Sequence, residues 1–325
     1  MAPKKVANNS TDQRNAANSP KHNEELNEKK AREAPKRSTK SSAKKRKAKD
    51  DPARGNAKSA RHSSRGAAPT IVDPVKLINY LLSPEALPFC RPKDEGADIE
   101  ARGKQIRVYS ESTFTPFEEL ECALILSRPI GHMLGLRSIR TLFNEPHNLT
   151  SPKAIRTGGR EACIAALNYA RTQHRQKTGE ELVLLADSVA NSLGKGEEDV
   201  YLERLRDECG HDAEKEREML KKNVKGMAKT GIDIFARRIQ GVWKEWYPFA
   251  DDKTLKAIED LGLKGDELEL VKILEDNWKE IRTGDFHGSD EEKKRKVFVK
   301  VLERAIGAEL QGNTEDVKKV VGRSG

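Results

Sequence analysis

Helix-start signals recur along this chain from about residue 69 onward. The pairs Asp73-Pro74, Thr115-Pro116 and Ser151-Pro152 each place a capping side chain before a proline, and proline suits the first helical position because no N–H donor is needed there. Apolar residues then follow at helical spacing, as in the segment 178–193. Period-two alternation is nearly absent, and the segment 105–109 is the only short strand candidate. The sequence therefore predicts an all-α fold with about ten or eleven helices.

The first 68 residues differ from the rest of the chain in charge and in apolar content. They contain 19 Lys and Arg against 7 Asp and Glu, whereas the remainder contains 42 against 45. Val6 and Leu26 are almost their only large aliphatic residues. Such a segment buries too little apolar surface to offset its chain entropy on folding. We therefore expect a disordered basic tail over residues 1–68 and a folded domain over residues 69–325.

A dense basic cluster lies inside this tail, where Lys44, Lys45, Arg46 and Lys47 are consecutive. Such a cluster is typical of a nuclear localisation signal that an importin binds, and it also attracts nucleic-acid phosphates. A solubilising tail without a receptor is the alternative. We expect localisation in the nucleus, with importin as a partner of the tail.

Two further features argue against other classes of protein. No apolar run approaches the roughly 20 residues that span a bilayer, and the N-terminus lacks the apolar stretch of a signal peptide. The four cysteines lie 32 to 46 residues apart, without the close pairs that are typical of a metal site. We expect reduced, partly buried thiols, no membrane association, and no metal ion or cofactor.

The segment 220–235 carries the local signal that bears most directly on function. A polar helix is predicted to end near Asn223, and after a tight turn a second helix opens at Thr230, with Asp233 as its acidic capping partner. Gly226 lacks a Cβ atom, which permits unusual backbone dihedrals and close approach by another molecule. The segment therefore predicts two helices joined by a sharp corner.

Main-chain donors at such a corner suit an anion. The first N–H groups of the second helix have no partner within the helix, and the helix dipole is positive at that end. One DNA phosphate fits these donors, and Lys225 and Lys229 add positive charge beside them. An ordinary helical corner with a left-handed glycine cap is the structural alternative.

The corner resembles the hairpin of the helix-hairpin-helix base-excision DNA glycosylase family, the endonuclease III-like superfamily. Gly226, Met227 and Ala228 occupy the places of that hairpin's first glycine, its apolar residue and its second glycine. Ile234 and Phe235 occupy its paired apolar positions. The resemblance therefore implies that the corner binds double-stranded DNA.

Two flanking segments are similar to the same family. Residues 118–143 resemble the helix pair that begins the family's helical barrel, and residues 247–252 resemble the segment in which a required aspartate caps a helix. The resemblance covers about residues 114–263. It implies a two-lobed, all-α, DNA-glycosylase-like domain with a barrel lobe over about 112–222, the hairpin over about 213–240, and a second lobe from 69–111 and 241–310.

The resemblance also implies site residues. Those that bind DNA are Lys225, Gly226, Met227, Ala228, Lys229, Thr230 and Gly231. The carboxylate that stabilises a developing oxocarbenium sugar or orients water is Asp251 or Asp252. Spacing to Leu255 and Ile258 slightly favours Asp252, whereas alignment to divergent bacterial members favours Asp251. The alternative is that both aspartates only cap a helix. A monomer is expected.

The chain departs from the family pattern at several positions, and these departures limit the reactions that are expected of it. Lys225, Ala228 and Ile232 replace the hairpin's proline, its second glycine and its usual small residue. Thr230 stands where bifunctional members carry a catalytic lysine, so an amine-mediated lyase step is not expected. Pro129 stands where many members carry a glutamine that inserts into the duplex, and the four-cysteine iron–sulfur loop is missing.

Three functions fit these observations. The first is a monofunctional DNA glycosylase, the second a related domain that binds DNA structure without chemistry, and the third a nuclear helical protein–protein scaffold. Trp243, Trp246 and Tyr247 either line a wall on which a base stacks or, as aromatics at this spacing more often do, fill the core.

Overall fold

The computed structural model describes residues 72–103, 105–263 and 265–323, and within these ranges all regular secondary structure is helical. The described helices are α1 Pro74–Leu82, α2 Leu87–Cys90, α3 Lys93–Arg102, α4 Pro116–Leu126, α5 His132–Leu142, α6 Pro152–Tyr169, α7 Arg175–Ser188, α8 Glu203–Cys209, α9 Ala213–Asn223, α10 Lys229–Ile239, α11 Asp252–Leu261, α12 Glu267–Asp276, α13 Asp290–Leu310 and α14 Thr314–Arg323. The all-α prediction is confirmed. None of these helices is long and apolar enough to cross a membrane. The predicted tail and its cluster Lys44–Lys47 lie outside the described residues.

The predicted helix starts are confirmed where a cap precedes a proline. Asp73 accepts hydrogen bonds from the first N–H groups of α1, and Thr115 and Glu118 form a reciprocal capping box at the start of α4. The Ser151 hydroxyl accepts from the N–H of Ala154 in α6 at 3.1 Å. Each cap satisfies donors that the first helical turn leaves open, so it fixes where the chain enters the helix.

More helices form than the periodicity predicts, because breaks divide the longer apolar patterns. Gly262, with a φ of 108°, ends α11, and Asp266 caps α12 shortly afterwards. The apolar pattern over 178–193 spans two elements, since α7 ends at Ser188 and a π-helical turn covers Val189–Leu193. Residues 105–109 form turns and irregular backbone, so the strand candidate is wrong.

Two hydrophobic cores lie in the described domain. The first draws its residues from 109–246, among them Phe117 of α4 and Phe235 of α10. The second draws on 72–90 and 250–321, with Phe298 of α13 among its fully buried side chains. Because α10 packs against both α4 and α13, it lies where the two groups of helices meet. The four cysteines are buried and form no disulfide, which confirms the prediction of free thiols.

Two consecutive arginines near the end of α10 join these groups of helices. Arg238 donates to both carboxylate oxygens of Glu119 on α4, at 2.7 and 2.9 Å. Arg237 donates to Glu303 on α13 at 2.6 Å and to Asp251, just before α11, at 2.8 Å. Charge-assisted bonds of this kind are short and directional. They fix α10 relative to the helices on either side.

Candidate nucleic-acid interface

The connection between α9 and α10, residues 224–228, is called the bend here. The N–H of Val224 donates to the carbonyl of Leu220 at 2.9 Å, and the N–H of Met227 donates to the carbonyl of Val224 at 3.2 Å. The side chains of Val224 and Met227 are both buried in the first core. The bend is therefore a tight turn whose inner face is held by apolar packing.

Gly226 has a left-handed backbone with a φ of 85°. A Cβ atom at this position would lie 2.5 Å from Nη2 of Arg128 and 3.0 Å from Oε1 of Glu181. Those two side chains form an almost buried ion pair with an N–O distance of 2.7 Å. Glycine is required here for two physical reasons, because its conformation is costly for other residues and because the ion pair occupies the space of a side chain.

The outer face of the bend is exposed backbone. Lys225, Gly226 and Ala228 are exposed, as are the first residues of α10. The N–H of Ile232 is the first in α10 to find a main-chain acceptor, the carbonyl of Ala228 at 3.0 Å. No partner within the described residues accepts from the N–H groups of Ala228, Lys229, Thr230 and Gly231. These donors point out of the positive end of a helix, which is the arrangement that binds anions.

The predicted cap of the second helix is wrong. α10 begins at Lys229 with Ala228 as its N-cap, and no side chain caps it. Asp233 instead accepts a bond from Lys229 at 2.7 Å and faces Arg217 at 3.6 Å. The four-residue spacing of Lys229 and Asp233 favours their ion pair along the helix surface, and it diverts the carboxylate from the helix end. The consequence is that the first turn keeps its donors open.

A cavity of about 500 Å³, called the cleft here, adjoins this helix end. It is lined by residues from 126–136, 229–237, 251–253 and 303–310. The structure thus brings Lys229 and Thr230 to the same cleft as both aspartates. The other predicted DNA-binding residues, namely Lys225, Gly226, Met227, Ala228 and Gly231, do not line the cleft.

Asp251 is the inward of the two aspartates, with a side chain that is 13% exposed. It is the N-cap of α11 and accepts from the N–H and the hydroxyl of Thr254, at 3.1 and 2.7 Å. Its other main partner is Arg237, at 2.8 Å. Burial acts to raise the pKa of Asp251, but the charge of Arg237 and these hydrogen bonds outweigh it and hold the pKa below its ordinary value. The carboxylate is therefore ionised at neutral pH.

Asp252 differs from its neighbour in exposure, in helix position and in hydrogen bonding. It is exposed and occupies the first helical position of α11. Within the described ranges its carboxylate forms no hydrogen bond or ion pair. Burial, charge pairing and the cap position all distinguish Asp251 as the carboxylate with a fixed orientation.

Three residues that line the cleft, Glu303, His132 and Arg304, are not among the predicted site residues. Glu303 accepts from Arg237, and His132 lies beside Gln311 with its Nδ1 at 3.2 Å from the amide nitrogen. Burial lowers the pKa of His132 to about 4, so the ring is neutral at physiological pH. Arg304 lies next to Glu303 on α13. In the sequence, Glu303 and Arg304 could have been recognised as site candidates because these adjacent charged residues interrupt an apolar helical pattern.

The aromatic residues near the bend belong to the interior. Trp243 and Trp246 are buried in the first core, and Phe235 meets both rings edge to face, with centroids 5.7 and 5.5 Å away. Tyr247 packs against the second core and contacts Phe298. None of the three sequence-predicted aromatics lines the cleft, so the suggestion of a stacking wall there is wrong and the core interpretation holds.

A comparison of the chain with models of known protein families found no match, and comparisons with curated proteins and with solved structures found none either.

Proposed function

We propose that this chain binds double-stranded DNA as a base-excision-type protein and acts as a monofunctional DNA glycosylase with the two-lobed, helix-hairpin-helix fold. One observation carries the proposal. Lys229 and Thr230, which belong to the uncapped first turn of α10, line the same cleft as the ionised, oriented carboxylate of Asp251. A glycosylase needs its phosphate-binding donors close to its carboxylate, because the base that it removes belongs to the same strand as the phosphate that it binds.

The bend supplies the contact to the DNA backbone. Ala228, Lys229 and Thr230 are exposed where the bend enters α10, and their open N–H groups suit the oxygen atoms of one phosphodiester. The positive helix end adds a favourable field. Lys225 is exposed and forms no ion pair among the described residues, so its charge is available to a second phosphate oxygen. A contact of this kind positions the strand without reading its sequence.

The cleft supplies the chemistry. A flipped nucleotide enters it, and the bond between C1′ of the sugar and the base nitrogen breaks as positive charge develops on the sugar ring. Asp251 stabilises this charge electrostatically. A water molecule then adds its oxygen and one hydrogen to C1′ as a hydroxyl group, and its other proton goes to the nitrogen of the base that has left. This hydrolysis forms no covalent intermediate between the sugar and the enzyme.

Two features favour hydrolysis over an amine-mediated lyase step. Thr230 carries no nucleophilic nitrogen, and it stands where a lyase lysine is expected. The neighbouring Lys229 is engaged by Asp233 at 2.7 Å, with an exposed side chain at the rim of the cleft. An amine held as an ion pair is a poor nucleophile because it stays protonated.

A second candidate function is DNA binding without chemistry. The observation in its favour is the direct bond between Asp251 and Arg237 at 2.8 Å, because a carboxylate that already pairs with a cation stabilises a sugar cation less. In that case the bend and the basic tail recognise DNA structure, and the Arg237–Asp251 pair only holds helices together.

The test uses the full chain on a panel of lesion-bearing duplexes, with base release and binding measured on the same samples. For the glycosylase, changing Asp251 and Asp252 together to Ala abolishes release while duplex affinity survives. Unchanged release in this double variant refutes the enzyme assignment. Binding to the duplexes without release by the wild type favours the second candidate.

A protein–protein scaffold is the third function, and Lys225→Glu, a change on the exposed outer face of the bend, separates it from both DNA-binding functions. An added carboxylate at the bend repels phosphate, so DNA affinity falls if the bend binds DNA. A scaffold that touches DNA only through its tail loses nothing further with this variant. We also propose nuclear localisation through Lys44, Lys45, Arg46 and Lys47. A fluorescent fusion in which all four are Ala, compared with the native tail, tests it by its distribution between nucleus and cytoplasm.

A further inference from the structure

A second cavity, of about 410 Å³, lies beside α13 and is called the cationic cavity here. α13 places Lys296, Lys300 and Arg304 along one face at four-residue spacing, and all three line this cavity. Loops around residues 109–114 and 285–287 form much of the remaining wall. Tyr109 and Arg304 border both this cavity and the cleft.

The carboxylates in the wall do not neutralise these three cations, because most of them already have partners. The existing pairs are Glu111 with Arg91 at 2.7 Å, Glu119 with Arg238 at 2.7 Å, and Glu303 with Arg237 at 2.6 Å. Asp285 is exposed and forms no ion pair with any described residue. Three cations of this cavity therefore face one unpaired carboxylate, so positive charge is in excess there.

Arg304 is the clearest case of a missing partner. The residue is 4% exposed, and its Nε and Nη1 atoms donate no hydrogen bond to the rest of the described chain. It also forms no ion pair within these ranges, whereas Arg237 and Arg238 of α10 each pair with a carboxylate. A buried guanidinium without an acceptor is costly, since its lost hydration is not replaced.

The two lysines have only neutral acceptors. Lys300 donates to the carbonyl of Ser110 at 3.3 Å, and Lys296 donates to the carbonyl of His287 at 2.6 Å. Burial, with repulsion from Arg304 and Arg238, lowers the pKa of Lys300 to about 8. The hydroxyl of Tyr109 is also buried without a hydrogen-bond partner in the described chain. Arg304, Lys300, Lys296 and Tyr109 thus bring donors to this cavity that bond no carboxylate of the described chain.

We propose that the cationic cavity binds a small phosphate-bearing molecule, with Arg304 and Lys300 as its principal donors and Lys296 at the rim. The excess of positive charge favours a phosphate monoester, which carries about −1.5 to −2 at neutral pH. The arginine fork matches the geometry of phosphate oxygens. The volume is within the range of small-molecule sites, roughly 300–1,000 Å³. Leu87 and Phe286 in the wall can contact an apolar part of the ligand.

This site goes beyond the proposed function, since it uses neither the bend nor Asp251. The experiment titrates the full chain with inorganic phosphate by calorimetry, with chloride added to keep the ionic strength constant. We expect saturable binding that Lys300→Met and Arg304→Met each weaken at least tenfold. The matched control is Lys294→Met, on the same helix, because Lys294 bonds Glu291 at 3.1 Å and does not line the cavity. That variant should bind phosphate as the wild type does.

Three results overturn the proposal. The first is no saturable binding to the wild type, and the second is equal affinity in the wild type and in both cavity variants. The third is loss of phosphate binding when a short DNA duplex saturates the protein, because the anion would then be the DNA backbone. Circular dichroism verifies that each variant folds. If Arg304→Met does not fold, the phosphate affinity of Lys300→Met alone tests the proposal. Lys225→Glu, on the exposed face of the bend, should leave phosphate binding unchanged, which separates failure of this site from failure of the DNA-binding function.

Discussion

The carboxylate of Asp251 lies 2.8 Å from Nη1 of Arg237, and Nε of the same guanidinium lies 2.6 Å from Glu303. One side chain of α10 therefore holds one carboxylate from the start of α11 and one from α13. Both carboxylates line the cleft. Their positions relative to the first turn of α10 are fixed by this shared contact, and several expectations depend on it.

Asp251→Asn should lower base release at least about a hundredfold, the usual effect of removing one electrostatic group from a transition state. Asparagine still caps α11, so the fold is kept. Single-turnover release from a lesion duplex measures the effect. Asp252→Asn is the control and should change the rate less than about threefold, because this residue is exposed and makes no bond in the described chain. Equal losses in both variants would contradict the assignment to Asp251.

Lys225→Ala should weaken duplex binding and reduce the slope of log affinity against log salt by about 1, since each neutralised phosphate contributes about 0.9 to that slope. Stability should change little because Lys225 is exposed. Fluorescence anisotropy over a range of salt concentrations measures the slope. Lys272→Ala, an exposed lysine on α12, is the control and should leave the slope as it is. Identical slopes for wild type and Lys225→Ala would remove this residue from the interface.

Glu121 makes stability depend on pH. Both of its carboxylate oxygens are buried without a hydrogen-bond partner in the described chain, and burial raises its pKa well above the ordinary value. The folded state therefore keeps a proton that the unfolded state releases above a pH of about 4.3. This contribution to stability is present below that pH, and it falls by about 1.4 kcal/mol per pH unit as the pH rises toward the folded pKa.

Glu121→Gln should remove this dependence. Urea unfolding at pH 5, 6, 7 and 8 should show the variant gaining stability relative to the wild type at each step. The exposed Glu259→Gln serves as the control and should show a constant difference. A constant difference for Glu121→Gln as well would mean that this carboxyl is ionised in the folded protein.

Arg238→Met should destabilise the domain by about 3 kcal/mol or more, because it leaves the buried Glu119 without a partner. The guanidinium also lies 4.1 Å from the ring centroid of Tyr109 and donates to its carbonyl at 3.1 Å. The double variant with Glu119→Gln should lose less than the sum of the two single changes. Chemical denaturation measures this coupling, and strict additivity would show that the pair contributes nothing.

Local features of the fold could be predicted from the sequence, because local contacts determine them. Asp73 and Thr115 cap helices through donors within three residues, and the breaks at glycine need only backbone preferences. The start of α10 could not be placed in the same way. Thr230 and Asp233 fit a capping pattern, but Asp233 also has Lys229 and Arg217 within reach, and the ion pairs prevail.

The cleft and the cationic cavity depend on contacts between distant parts of the chain. The sequence makes Asp251 a candidate because it comes just before a helix. Its partner Arg237, which also binds Glu303, is brought near only by the packing of α10, α11 and α13. The sequence of the turn is enough to predict a glycine at position 226. The second reason for this glycine is the ion pair of Arg128 and Glu181 beside it, and that pair forms only because α7 packs against the turn after α4.

α10 is a single unbroken helix with exposed main-chain donors at Lys229 and the arginine that holds Asp251 at position 237. Eight residues of α-helix measure about 12 Å. This length cannot change without breaking the helix. Under the proposed function, a DNA strand bound at the start of α10 would therefore meet the carboxylate at a constant offset along its own backbone. The number of nucleotides between the bound phosphate and the sugar that reacts would then be the same for every substrate, whatever base it carries.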